Sequence, residues 1–180
     1  MENENSVKKE ENKQKKKKRK GAAYYAIEFF VKIITTALIV WIILHFVAGV
    51  YVNHSNTSYP MIKDGDLCIT YKLAAPLENE VVAYEVNGKT CFGRAVAFAG
   101  DVVAIGDEGL TINGYGLYED TVYPTTAEGA SINFPYTVPD GTVFVLNDYR
   151  SDASDSRIYG GIDKSQLKGK VVLVVRRRGI

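Results

Sequence analysis

Cys91-Phe92-Gly93-Arg94-Ala95-Val96-Ala97-Phe98-Ala99-Gly100-Asp101 is the stretch on which the fold turns. A mostly apolar run, Cys91–Phe98, ends in a Gly-Asp pair, the pattern of a buried strand stopped by a turn. Just upstream, Asn87-Gly88 is a tight-hairpin signal that needs positive φ, and Glu80–Tyr84 supplies the partner strand. Asn113-Gly114 repeats the signal after Leu110–Ile112. Further short runs are Leu67–Tyr71, Val102–Ile105, Thr142–Leu146 and Val171–Val175. Lys63-Asp64-Gly65-Asp66, Pro139-Asp140-Gly141 and Gly160-Gly161 punctuate them. Residues 53–180 are therefore predicted to form a mainly antiparallel β domain, with long loops near 115–135 and 147–165. Only Lys164–Leu167 offers a helical turn.

Working outward to the N-terminus, the composition changes twice. Ile33 to Val52 is an apolar run without Asp, Glu, Lys or Arg. At ~1.5 Å per residue a helix of ~20 residues matches the bilayer core, and an anchor helix over 27–52 is predicted. Residues 1–22 form a basic tail with almost no apolar content, predicted to be disordered and suited to anionic lipid headgroups.

Charge follows the same division. The chain of 180 residues has a net charge of +1. Residues 1–20 hold nine basic and four acidic groups, net +5, whereas residues 53–180 hold 12 basic and 16 acidic, net −4. The positive-inside rule then places the tail in the cytoplasm and residues 53–180 outside the plasma membrane, in a single pass. A cleaved signal peptide is the rival reading. It fits less well, because the leader and apolar run are long and no clean A-x-A site follows. The uneven charge argues against a nucleic-acid partner, which would need its basic residues on a folded face.

The inventory of reactive side chains is short. His45 and His54 are the only histidines, and Cys68 and Cys91 are the only cysteines. They make no zinc-ligand spacing, and no metal or cofactor is expected. The two cysteines fall on separate predicted strands. A disulfide requires those strands to be neighbours, and the alternative is two free thiols.

Three segments stand out. Asn56-Thr57-Ser58-Tyr59-Pro60-Met61-Ile62, with Gly65-Asp66, follows the apolar run directly. Phe92 to Asp101 is the second. Val145-Leu146-Asn147-Asp148-Tyr149-Arg150, with Ser154-Asp155-Ser156-Arg157, is the third. In order and spacing they resemble the boxes of type I signal peptidases, membrane-anchored proteases with a Ser/Lys dyad. That family shows Ser-Met-x-Pro-Thr-Leu and Gly-Asp, then Lys-Arg-Val-Ile-Gly-Leu-Pro-Gly-Asp, then Gly-Asp-Asn-Arg and Ser-x-Asp-Ser-Arg. Pro60, Gly65, Asp66, Arg94, Gly100, Asp101, Asp148, Arg150, Asp155, Ser156 and Arg157 match it.

The departures fall on the chemistry. By this resemblance Thr57 occupies the nucleophile position, Gly93 the general-base position and Ala153 the position that orients the base. Asn79-Glu80 replaces a Gly-Asp pair before the strand at Val81. A Ser/Lys dyad needs a buried lysine that loses its charge and takes the hydroxyl proton. Glycine offers no base. Lys89 lies four residues away, ~13 Å along a strand. His54 lies three residues before Thr57, and Ser58, the fallback nucleophile, faces the other way on an extended segment.

The resemblance therefore implies a catalytically degenerate member, similar to the signal-peptidase-like proteins of sortase-linked pilus assembly on Gram-positive cells. Its partners would be the lipid bilayer and exported polypeptides or signal peptides, with pilin and sortase as candidates. Thr57, Ser58, Tyr59, Pro60 and Met61 would line the remaining groove, and the other matched residues would be scaffold. The enzymatic alternative is a divergent, active type I signal peptidase that cleaves secreted preproteins.

Overall fold

The computed structural model describes residues 21–106, 109–117 and 124–176. The basic tail lies outside these residues, apart from its last two positions. The chain divides into two units, Met1–Trp41 and Ile42–Ile180.

Helix α1 (Ala22–Ile42) has no buried residue and continues as a π-helical turn, Ile43–Val47. Together they are long and apolar enough to cross a membrane. The helix's two charges answer one another: Lys32 pairs with Glu28 one turn away at 2.8 Å. Thr35 returns its hydroxyl to the Val31 carbonyl at 2.8 Å. Glu28, Lys32 and Thr35 are thus satisfied within the helix, as an apolar medium would require.

The helical run stops five residues before the predicted end. Ala48–Val52 is strand β1, paired antiparallel with β2 (Leu67–Tyr71). The ammonium of Lys72 donates to the carbonyls of Leu44 and His45 at 3.0 and 3.1 Å, and the Lys72 amide donates to Val47. These bonds cap carbonyls that the end of a helix leaves orphaned. Because Ala48–Val52 is as apolar as the helix before it, hydropathy does not mark the boundary.

The remaining strands are β3 (Val81–Val86), β4 (Lys89–Phe98), β5 (Val102–Gly106), β6 (Gly109–Ile112), β7 (Tyr115–Gly116), β8 (Tyr136–Thr137), β9 (Thr142–Leu146), β10 (Ile162–Asp163) and β11 (Leu167–Val175). A four-residue helix α2 (Ser156–Tyr159) and a 3-10 turn (Lys164–Gln166) complete the list. A seven-stranded antiparallel sheet has the order β1-β2-β11-β3-β4-β9-β10, and a smaller one runs β7-β6-β5-β8. The mainly antiparallel β domain behind one long apolar helix is as predicted. Asn87 and Asn113 adopt φ of 52° and 54°, each followed by a left-handed glycine, as tight hairpins demand.

Three buried clusters sit on these sheets. Val82, Tyr84, Ala95, Val143, Val145 and Ile162 fill one face of the large sheet. Ile62, Cys68, Val81, Ala83 and Phe92 fill another. Val96, Val103, Leu110, Phe144 and Leu146 join the two sheets. Cys68 and Cys91 are both free. Two strands, β11 and β3, lie between theirs, which puts them beyond the ~7 Å reach of a disulfide.

Candidate functional site

The three sequence segments converge at the end of β4 and the loop after β9. Arg94 makes a bidentate pair with Asp148, Nε to Oδ1 at 2.9 Å and Nη2 to Oδ2 at 3.1 Å. Its Nη2 also lies 3.9 Å from Met61 Sδ, so one guanidinium touches all three segments. The Tyr149 amide donates to the Thr57 carbonyl at 2.9 Å. Ser58 is fully buried and donates its hydroxyl to the Phe92 carbonyl at 2.7 Å.

The loop after β9 rests on two fully buried arginines. All five N–H groups of the Arg157 guanidinium have acceptors: both oxygens of Asp155 and the carbonyls of Arg150, Asp152 and Thr126. Arg150 donates to the Asn147 carbonyl and to Thr125 Oγ1. Asp155 also caps α2 through the Arg157 amide and accepts the Asn147 amide, both at 2.9 Å. Ser156 Oγ accepts from the Val145 amide at 2.9 Å. This network grips the end of β9 from the loop side.

Gly65 and Gly100 take φ of 83° and 89°, which favours glycine in their turns. The following aspartates hold those turns: Asp66 accepts from the Lys63 amide and Asp101 from the Phe98 amide.

Beside this frame lies a cleft of about 860 Å³. Val50 and Val52 of β1, the residues His54 and Thr57, and Lys89 and Cys91 of β4 are among its walls. Ser154 and Tyr159 also face it. Of the five residues predicted to form a groove, Thr57 lines this cleft. Tyr59 lines a separate depression with Asn56, Lys63 and Tyr149, and the Lys63 ammonium stands 5.3 Å over its ring. Pro60 and Met61 are exposed, and Ser58 is buried. Neither Lys89 nor His54 was read as a cleft wall from sequence. Their placement needs the curl of the sheet, which no local pattern encodes.

The two positions that the resemblance assigns to the dyad, Thr57 and Gly93, have defined surroundings. Thr57 Oγ1 is hydrogen-bonded to Ser55 Oγ at 2.9 Å, and Ser55 in turn contacts the Asn53 carboxamide oxygen at 3.3 Å. Asn53 is buried and ties this segment to the Lys63 carbonyl. Among the described residues no lysine or histidine is hydrogen-bonded to the Thr57 or Ser58 hydroxyl. Gly93 is buried opposite Val82. A Cβ built on it would fall 2.7 Å from Val145 Cγ1 and 2.9 Å from the Leu146 carbonyl oxygen. Val145 can turn, but the carbonyl belongs to the strand that the Asp155–Arg157 network grips. Ala153 turns its methyl toward Gly129, 3.4 Å from where a Cβ there would lie. The neighbouring Ser154 gives its hydroxyl to Asp152.

Burial raises both thiols and one tyrosine of the β domain above their ordinary ranges. Burial pushes the Cys91 thiol up, although Lys89 nearby pulls it down. Tyr84, opposite Cys91 on β3, is pushed well above its ordinary range by burial. Cys68 on the other cluster is raised to about 11 by burial and by Asp66.

The model of the family "Signal peptidase, peptidase S26" matches residues 26–176. Signal peptidase I of Bacillus caldolyticus is 28% identical, over 70% of this chain and 78% of that protein. Signal peptidase IB of Staphylococcus aureus is 26% identical, over 81% of this chain and 86% of its own. A crystal structure of a signal peptidase I from Enterococcus faecalis is 27% identical and superposes with a TM-score of 0.47, covering 55% of this chain and 98% of that one. With the family match spanning the apolar helix and nearly all of the β domain, this chain belongs to the signal peptidase family, peptidase S26.

Proposed function

We propose that this protein is a membrane-anchored signal peptidase homologue that holds exported polypeptides without cleaving them by a Ser/Lys dyad. The observation that carries this is position 93. It lacks a base, and the close approach of β9 leaves no room there even for a methyl group. Thr57 keeps a hydroxyl in the cleft, but its partner is Ser55. A base is needed to take the nucleophile's proton, and losing members of a catalytic unit in another serine protease costs on the order of 10⁴–10⁶ in turnover.

Binding survives that loss. β1 is the outer strand of the large sheet and, among the described residues, pairs only with β2. Its other edge offers backbone groups to an extended chain, and its residues wall the cleft. The tail is cytoplasmic and the β domain extracytoplasmic in this reading, as the charge division supports. Pilin subunits and sortase, in surface assembly on Gram-positive cells, are the client and partner proposed.

The test uses the full chain in detergent micelles with a fluorescent signal-peptide substrate. The expected result is saturable binding with no cleavage. Cleavage that disappears in Thr57→Ala would overturn the reading. Purified pilin and sortase that both fail to bind would remove the pilus assignment alone. Two observations favour a second reading, an active divergent peptidase: Thr57 shares its cleft with Lys89 and His54, and the curated relatives described above are signal peptidases. The same Thr57→Ala comparison decides between them.

A further inference from the structure

We propose that the cleft selects an extended polypeptide bearing an Asp or Glu side chain, seated against Lys89. This deepens the client-holding reading and rests on it. The β domain as a whole is acidic, with 16 acidic against 12 basic residues from 53 to 180. The cleft reverses that sign. Lys89 and His54 line it, and no Asp or Glu does among the described residues. Lys89 supplies the positive charge at the cleft wall.

Lys89 is exposed at the β3–β4 hairpin and has no ion-pair partner among the described residues. Several acidic residues on β3 and in the loop after β9 are committed elsewhere. Glu85 on β3 pairs with Lys168 at 2.8 Å, Asp148 with Arg94, and Asp155 with Arg157. Asp152 takes both the amide and the hydroxyl of Ser154. A client carboxylate is the group that would complete the set.

The rest of the lining suits such a client. Val50 and Val52 offer apolar contact, while Ser55, Thr57 and Thr90 carry hydroxyls without charge. Lys89, Cys91 and Gly93 alternate onto one face of β4. The Lys89 side chain therefore shares the face of β4 on which Gly93 lies. A peptide laid along β1 would meet it at one register only, which makes the preference positional as well as electrostatic.

The experiment is fluorescence anisotropy with the full chain in detergent micelles at pH 7.5 and low salt. The probes are ten-residue peptides of Ala, Val and Ser, acetylated and C-terminally amidated, with a single Asp moved along the sequence. At one or two registers the Asp peptide is expected to bind about fivefold tighter than the neutral parent, the size of a partly exposed ion pair. Raised salt should shrink the difference. Lys89→Gln should abolish it, Lys89→Arg should keep it, and Lys164→Gln, outside the cleft, should keep it too. If no register binds tighter than the neutral peptide, or if the preference survives in Lys89→Gln, the inference is overturned and client holding stands. If no peptide binds at all, both fail.

Discussion

Positions 57 and 93 and the loop of residues 147–157 are neighbours in space, yet their chemistry is opposite. The loop buries two arginines and an aspartate with every guanidinium donor of Arg157 matched to an acceptor. At positions 57 and 93 there is one hydroxyl, hydrogen-bonded to another, and a glycine with no room beside it. The difference teaches that the charge network serves shape. Asp155 and Ser156 accept backbone amides of Asn147 and Val145. They thereby hold the end of β9, and with it the Leu146 carbonyl that closes position 93.

The largest expected effect tests the loop. Arg157→Ala leaves Asp155 buried with fewer donors, and breaking a buried pair this way costs about 3–5 kcal/mol. Urea or thermal unfolding of the full chain in detergent should show it, and Thr57 should lose the Tyr149 contact that helps hold its segment. A loss below ~1 kcal/mol would mean that the network is decoration and that the comparison fails.

The second effect tests the closed position. Gly93→Ala adds the single methyl group that meets Val145 and the Leu146 carbonyl, and overpacking of this kind costs about 1–3 kcal/mol. Gly93→Lys should gain no peptidase activity against a signal-peptide substrate. Cleavage by that variant would show that β9 yields and that position 93 is an empty site rather than a closed one.

Smaller is Ser58→Ala. It removes one buried hydrogen bond to the Phe92 carbonyl, worth about 1 kcal/mol. Binding of neutral peptides should change little, because Ser58 lies beneath the surface and outside the cleft.

Much of this comparison was visible before the fold. The resemblance sets Gly93 where the family's general-base lysine is expected, and the hairpin signals at Asn87-Gly88 and Asn113-Gly114 place the strands around it. Leu67–Tyr71 and Thr142–Leu146 match strands residue for residue. Edge strand β1 was hidden because an apolar strand directly after an apolar helix leaves no hydropathy step. The two-residue strands β7, β8 and β10 are too short to carry a period. The closure of position 93 was hidden for another reason. It rests on the pairing of β4 with β9, where Arg94 faces Leu146, which brings a carbonyl near a glycine 53 residues away in sequence. Likewise, Lys89 is a surface residue in any local reading and becomes a cleft wall only when β1 is placed across from it.

The smallest effect marks the exposed end of the same comparison. Glu80 accepts from the Leu77 amide at 2.9 Å and from the Lys170 ammonium at 2.9 and 3.2 Å, tying the approach to β3 to β11. The backbone bond first, and Lys170 second, hold its carboxyl below the ordinary glutamate range. A depressed carboxylate contributes stability above the unfolded pKa of about 4.3 and loses it as pH falls through the folded value. Being partly exposed, the Glu80–Lys170 pair is worth only ~0.5 kcal/mol. Glu80→Gln should therefore unfold slightly earlier than the parent at pH 7 and match it near pH 3. High salt should shrink the gap at pH 7, whereas the deficit of Arg157→Ala, screened by burial, should persist. A Glu80→Gln deficit as large and as salt-resistant as that of Arg157→Ala would mean that burial is not what separates the loop network from the ordinary surface pairs.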